Sequence, residues 1–452
     1  MKFLKYFVLA TVIVLGIVFY NFHDSAFEKQ NQYVSSNSCI QCHSSHNKAV
    51  KDSLHSKIFH PFTSKEQIVA DFENKPDFVN FNVDEIDAVI GGKWEQVFAK
   101  EINGELYPLP AKWMNLTKEW VPYKVKQWQD TPLTQKCNGC HTVGLNKKTG
   151  DFVEYSVSCE SCHGPGQQHV NHQKMQKNME CKLCHSKTEH PKKDIIVSYK
   201  SATCGQCHNR GTEKVNKYHT AAQFNFPVEY LPGQNISKNF QATTPENDKK
   251  GKNWWGNGVS KNRHQEYADF AKSDHAKSLT TLREKVNKMC QNPVDGSCLK
   301  CHSADYRMAK EEEKPSVEEA KLGITCIVCH DPHALQADGK KRTPATSCNE
   351  CHLKSMTKKA AITQKDHIPC DSTKVTCADC HMPRIVKTGG KFSLRSHAFK
   401  IIPPEATKKY GMPNSCQNGS CHQDKSNEWA IEEFHKYYDG YKQTLSDYIK
   451  NK

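Results

Sequence analysis

Apolar positions along the 452 residues fall into a few patterned stretches set in a long polar background. Behind the short basic segment Met1 to Lys5, Tyr6 to Tyr20 is an almost unbroken apolar run, which reads as an export segment. Glu95–Ile102 and Glu105–Tyr107 flank Asn103-Gly104, and Asn-Gly between such segments predicts a tight β-hairpin. Thr142 to Tyr155, with Lys147-Lys148-Thr149-Gly150 at its turn, predicts a second. Gly164-Pro165-Gly166 ends any helix begun before it. Ser53-Leu54-His55-Ser56 reads as helical, and Tyr267 to Met289 reads as a helix carrying His275. Ser316-Val-Glu-Glu319, after Pro315, has capping-box spacing. From Glu428 to Ile449 the residues Ile431, Phe434, Tyr438, Tyr441, Leu445 and Tyr448 recur with helical period, predicting a helix that covers the domain or meets another subunit.

Between these elements lie long polar, turn-rich stretches, and only 37% of the chain is hydrophobic. That is little for the two or three ordinary side-chain cores this length would need. Something else must organise the fold. The pattern C-x-x-C-H supplies it, occurring at Cys39–His43, Cys137–His141, Cys159–His163, Cys181–His185, Cys204–His208, Cys298–His302, Cys326–His330, Cys348–His352 and Cys377–His381. A tenth copy, Cys416-Gln-Asn-Gly-Ser-Cys421-His422, is stretched by two residues.

This pattern marks c-type haem attachment. Two thiols three positions apart lie on one side of a helical turn and add to the vinyl groups of one haem, and the following histidine sits under the iron. Structural zinc also uses C-x-x-C pairs but needs no histidine fixed after the second cysteine. With 24 histidines in 452 residues, chance places one there about one time in nineteen, yet all nine strict pairs have it. Haem is therefore the reading, with a Cys416–Cys421 disulfide as the rival at the stretched site. The attaching cysteines are Cys39, Cys42, Cys137, Cys140, Cys159, Cys162, Cys181, Cys184, Cys204, Cys207, Cys298, Cys301, Cys326, Cys329, Cys348, Cys351, Cys377, Cys380, Cys416 and Cys421. The expected fold is mainly α with extensive loop and a few β-hairpins, organised by ten haems with little conventional core. Trp113, Trp120 and Trp128 are expected to pack against a porphyrin or core.

Of 22 cysteines only Cys290 and Cys370 fall outside the motifs, and they either pair as a disulfide or stay as buried thiols. The thioether chemistry and this cysteine usage place the protein outside the cytoplasm, periplasmic or beyond. Residues 1–23 read as either a cleaved signal peptide or an inner-membrane anchor, with Lys2 and Lys5 holding the N-terminus inside. Residues 24–36 form a tether, 37–245 a haem domain with five sites, 246–425 a second with four strict sites and the stretched one, and 426–452 a terminal helix. The net charge of +14 suggests nucleic acid until the propionates are counted. Ten oxidised haems subtract about ten charges and ten reduced haems about twenty, so nucleic acid is not expected as a partner.

What fills the second axial position of each iron separates a carrier from an enzyme. The proximal ligands are His43, His141, His163, His185, His208, His302, His330, His352, His381 and His422. Beyond His23, thirteen histidines stand outside the motifs, enough for every haem to be bis-histidine. The favoured distal candidates are His55, His219, His264, His275, His333 and His397, chosen on local context and on the resemblance that follows.

Several strings carry that resemblance: Cys39–His43 with Ser53-Leu-His55, Ser158-Cys-Glu-Ser-Cys-His-Gly-Pro-Gly166 with His169, and Cys204-Gly-Gln-Cys-His-Asn-Arg-Gly211. Others are Phe226-Pro-Val-Glu-Tyr-Leu-Pro-Gly233, Arg263-His-Gln-Glu-Tyr267, Ser273-Asp-His-Ala276 and Gly323-Ile-Thr-Cys-Ile-Val-Cys-His-Asp-Pro-His333. The chain resembles multihaem c-type cytochromes related to the tetrahaem electron acceptor of ammonia oxidisers and to octahaem hydroxylamine oxidoreductases. In such proteins histidines in Ser-x-His and Asp-Pro-His contexts look like distal ligands, which implies His55, His275 and His333. Cys377-Ala-Asp-Cys-His-Met-Pro383, Gly389-Gly390-Lys391 and Ser396-His397-Ala-Phe399 are similar to a segment of pentahaem nitrite reductases. Their C-x-x-C-K haem has no counterpart here, so that active site is not carried over. The expected function is electron relay between a redox donor, either a quinol-oxidising membrane cytochrome or a periplasmic protein, and a terminal reductase or surface acceptor. A homo-oligomer is compatible with this. The alternative is an oxidoreductase of a small nitrogen or sulfur compound with one five-coordinate haem.

Overall fold

The computed structural model describes residues 32–178, 194–215, 222–289, 296–333, 348–352, 370 and 374–450. The expectations for residues 1–23, the start of the tether, Cys181, Cys184, His185, His219 and Cys290 lie outside them.

The long interval between the first two motifs folds as a five-stranded antiparallel sheet in sequence order: β1 (Phe59–Pro61), β2 (Ala88–Gly91), β3 (Glu95–Ile102), β4 (Glu105–Met114) and β5 (Glu119–Pro122). The Asn103-Gly104 hairpin forms as expected, with φ of 53° and 81° at the turn and Ile102 opposite Glu105. Those positive angles at both central residues match the right-handed twist of the flanking strands. Strand alternation then divides the side chains between two cores. Val89, Phe98, Leu109, Ala111, Trp113 and Trp120 bury one face with Val79, Phe81 and Ile86, and Phe72 lies edge-on to Trp120 at 4.9 Å. Ala88, Ile90, Val97 and Ala99 bury the other face with Phe59 and Leu133, and Cys137, Phe152 and Tyr155 pack against it. The sheet thus carries the second haem motif on its back.

Two sequence expectations are corrected here. Helices are the more numerous elements, but "little conventional core" fails for residues 59–122, where the aromatics have each other as partners. The helix expected over Tyr267 to Met289 is two helices, Glu266–Lys272 and Ser278–Met289. The Ser273 hydroxyl donates to the Phe270 carbonyl (2.6 Å), competing for the acceptor that would carry the helix on, and His275 sits in the break.

The second expected hairpin forms as β6 (Thr142–Val143) and β7 (Glu154–Tyr155), with Thr142 opposite Tyr155. Two further ribbons follow, β8 (Gly211–Glu213) with β9 (Phe240–Ala242) and β10 (Val386–Thr388) with β11 (Lys391–Leu394). Around the last one Trp255, Val259, Ile385, Ala398, Ile402 and Met412 form a separate core, and the Trp255 indole N–H donates to the Ile385 carbonyl at 3.1 Å. The stretch 241–262, polar in sequence, is therefore anchored through buried tryptophans. The capping box at Ser316 forms, with its backbone N–H on Glu319 at 2.9 Å, but yields one turn only. A helix runs over Asn427–Lys450 as its periodicity predicts.

Candidate functional site

Several attachment motifs begin or contain a short helix, and in two of them the residue before the first cysteine takes part in a capping box. In the helix Cys159–His163 the Ser158 backbone N–H donates to Ser161 Oγ (3.3 Å). In Cys377–His381 the Thr376 N–H donates to Asp379 (2.7 Å). Such a turn brings both thiols to one side and ends at the histidine. In two motifs a glycine between the cysteines, in the second variable position of one and the first of the other, lets an aromatic ring lie on the turn. A Cβ on Gly139 would meet Phe226 at 2.2 Å, and one on Gly205 would meet Tyr267 at 2.7 Å.

The motifs touch one another. Cys39 contacts Cys159, Cys140 contacts Cys207, Cys204 contacts Cys326, and Cys301 contacts Cys351. Cys162 lies within electrostatic reach of Cys204 and Cys207, Cys348 of Cys377, and Cys380 of Cys416. Phe399 links the two halves of this network, 4.4 Å from the His275 ring and 6.3 Å from the His397 ring. Cys370 stands beside Cys380, Cys416 and Cys421, next to the last two motifs.

Five motif histidines face a second imidazole. The ring centroids of His43 and His169 are 6.4 Å apart, those of His163 and His333 5.9 Å, and those of His208 and His55 6.2 Å. His330 and His397 are 6.1 Å apart, and His352 and His275 6.0 Å. Two imidazoles on opposite sides of one metal ion need about 6 Å, counting about 2 Å for each metal–nitrogen bond and about 1 Å from nitrogen to ring centre. The paired rings fit an iron between them. His46 also stands near two of these rings, 6.2 Å from His43 and 5.0 Å from His333, so His43 has a second imidazole at ligation distance besides His169.

The chemistry of the ring nitrogens agrees. His163 Nδ1 donates to the Ile196 carbonyl (2.7 Å) and His302 Nδ1 to the Ser278 carbonyl (3.1 Å), leaving Nε2 for a metal. Burial lowers the pKa of His55, His275, His330 and His333, each with a neighbouring histidine adding to the effect. Burial also takes His141 to about 4, with Arg263 adding to it, and His397 to about 4. A metal takes the neutral imidazole, so these shifts favour ligation.

Of the favoured distal candidates, His55, His275, His333 and His397 meet motif histidines. His264 does not meet a ring among the described residues. It lies at φ 63°, its N–H on Glu266 at 3.3 Å, and burial followed by Arg263 holds its ring neutral. His169 is the partner that residue-by-residue ranking passed over. Its signal was the Gly-Pro-Gly break, after which a new helix, Gln167–Asn178, presents it one turn later. His60 is occupied elsewhere by Gln67 (3.0 Å), His172 by Asp194 and His435 by Glu405.

Beside the second motif a buried polar group gathers. Glu95 bridges Lys112 (2.9 Å) and Arg263, and burial, with Cys137 and Glu95 nearby, pushes the Tyr123 hydroxyl above its usual range. Lys124 lies over the Tyr123 ring at 5.8 Å.

The profile of the family "Cytochrome c554 and c-prime" matches residues 112–164 and 261–331. No curated protein matches the sequence. Among solved structures, the outer cell wall cytochrome OcwA is 27% identical over 92% of this chain and 89% of its own, with a TM-score of 0.73. An undecahaem cytochrome from the S-layer of Carboxydothermus ferrireducens shares the fold at 17% identity, over 93% of this chain and 62% of its own, with a TM-score of 0.50. The chain is a multihaem c-type cytochrome, a binder of haem c and a carrier of electrons.

Proposed function

We propose that this multihaem cytochrome holds ten haems, one on each motif, and relays electrons through them outside the cytoplasm. The observation that carries the reading is contiguity: each described motif meets a neighbour, through its thiols or through Phe399 between the seventh and eighth sites. Bound haem supplies reversible one-electron chemistry. The polypeptide supplies the rest. The paired thiols of each motif would hold one haem, and the imidazole pairs His43–His169, His163–His333, His208–His55, His330–His397 and His352–His275 would supply both iron ligands at five of the sites. Carbonyls on His163 and His302 fix ring orientation. At a site with two imidazoles the iron would be held the same way before and after reduction, which would keep the barrier to transfer low and leave no position there for substrate.

In this reading the relay lies on the outer side of the cell, led there by residues 1–23 as export signal or anchor, with haem domains over 37–245 and 246–425. The outer cell wall and S-layer settings in the names of the two similar cytochromes support that placement. Its partners are redox proteins: a quinol-oxidising membrane cytochrome or periplasmic donor on one side, a terminal reductase or surface acceptor on the other. The test is the mature protein's mass and oxidised spectrum. Ten covalent haems above the 51.4 kDa chain, less any cleaved leader, and an all-low-spin ferric spectrum are expected. A colourless product would sink the reading.

The rival, an oxidoreductase of a small nitrogen or sulfur compound, draws on one observation. His141 faces no second histidine among the described residues and has Tyr123, Arg263 and Glu95 nearby. A high-spin band perturbed by nitrite or hydroxylamine would favour it over the pure relay.

A further inference from the structure

Glu160 is the first variable residue of the third motif, Cys159-Glu160-Ser161-Cys162-His163, yet it is only 2% exposed. Among the described residues no lysine or arginine pairs with it. Its carboxylate instead accepts three backbone N–H groups: Val34 (3.0 Å), Ser35 (2.9 Å) and Gly166 (2.7 Å). Glu154 does the same one step further along, accepting the Ser36 N–H at 2.9 Å and its hydroxyl, while Ser158 Oγ donates to Glu154 at 2.7 Å. The segment 34–35 so grasped runs directly into the helix Ser36–Cys39, whose first residue Glu154 holds. Tyr33 ahead of it lies against Gly144, where an added Cβ would meet the ring at 3.0 Å.

At the far end of this strap the Cys39 thiol reaches Cys159, and the His43 and His169 rings stand 6.4 Å apart with 22° between planes. Residues 41–46 of the first motif are all exposed. Charge-assisted hydrogen bonds from several converging N–H groups fix direction as well as contact. A buried carboxylate without a cation is costly, and a neutral side chain would fill the same space with less penalty. What the charge adds is a fixed separation between two attachment sites.

We propose that Glu160, assisted by Glu154, is a positioning residue that docks the first attachment site on the third and so sets the coupling between the outermost haem and the rest of the relay. The proposal rests on the relay reading. Tunnelling falls exponentially with separation, so a strap that lengthens isolates the surface terminal. One electron crosses per event, delivered finally to an external one-electron acceptor, and no proton or bond need change at Glu160.

The test uses the mature holoprotein. In Glu160→Gln the amide NH2 group confronts backbone N–H donors and the strap opens. Expected are a full complement of ten haems by mass, loss of a spin-coupled haem pair from the ferric EPR spectrum, and two isolated low-spin signals in its place. Glu160→Asp restores part of the coupling. If Glu160→Gln fails to mature, Glu154→Gln with Ser36→Ala loosens the same strap and is expected to shift the same signal. An unchanged coupled signal, or a variant that merely melts at lower temperature, overturns the positioning role. A wild-type spectrum without any coupled pair does so as well. A colourless wild type instead removes the haem reading itself, which separates the two failures.

Discussion

Glu95 stands on β3 with a side chain about one-tenth exposed, between Lys112 and Arg263. Burial alone would raise its pKa, but the two cations outweigh burial and hold it below the usual carboxylate range. Glu95→Ala leaves two partly buried cations without their anion and is expected to cost about 3–5 kcal/mol in denaturant unfolding. Because the folded pKa is depressed, the wild-type contribution is present above the ordinary glutamate range and fades as pH falls through the folded value. Asp269 shows the opposite sign. Burial lifts it to about 6, against the hydrogen bonds from Ser260 and Ser396 that lower it. The folded state holds its proton where the unfolded chain has released it. Asp269 therefore makes stability fall as pH rises from about 4 to about 6. In Asp269→Asn that component is expected to vanish from the dependence of Tm on pH; an identical slope in variant and wild type would refute it. Legibility at this scale was uneven. Each attaching cysteine and proximal histidine sits inside a contiguous motif, so its chemistry is written locally. His169 comes within 6.4 Å of His43 through the way the third motif folds against the first, and no local pattern encodes that meeting.

Among the elements, the hairpin turned by Asn103-Gly104 was plain in the sequence because its signal is local. Gly104 at φ 81° occupies a region that side chains enter only with strain. Gly104→Val is expected to destabilise by about 1–2 kcal/mol. Urea unfolding followed by tryptophan fluorescence checks this, since Trp113 and Trp120 lie in the same sheet; no change in midpoint would remove the turn from the account. Long-range competition spoiled other expectations. The capping box at Ser316 forms, but Asp305, from the preceding helix, accepts the Lys321 N–H at 2.6 Å and the Leu322 N–H at 3.3 Å. Those donors bend the chain away after one turn. Ser273 broke the longer helix by offering its hydroxyl to the same carbonyl the helix would use. In both cases the local pattern was read correctly, and an acceptor or donor outside it decided the outcome.

For the whole molecule, the low apolar content pointed to cofactor-centred packing but hid a side-chain core. Trp113 and Trp120 stand in a 98-residue interval with no motif between its ends, and the sequence offered a porphyrin as readily as a sheet for their partner. The structure gives them Phe72, Phe81 and Phe98. The ring-to-ring contacts in that cluster fall within residues 72–120, with Phe62 and Trp128 packed against it. A newly exported, uncoloured chain therefore already owns one folded island between its first and second attachment points. Expressed without haem ligation, the chain is expected to keep slowly exchanging amides in 88–114 while the remaining attachment segments exchange freely; uniform fast exchange would refute this. Maturation would then begin with a rigid block between the first and second attachment points. The enzyme that stitches in the pigment would meet Cys39 on one side of an obstacle and the remaining sites on the other.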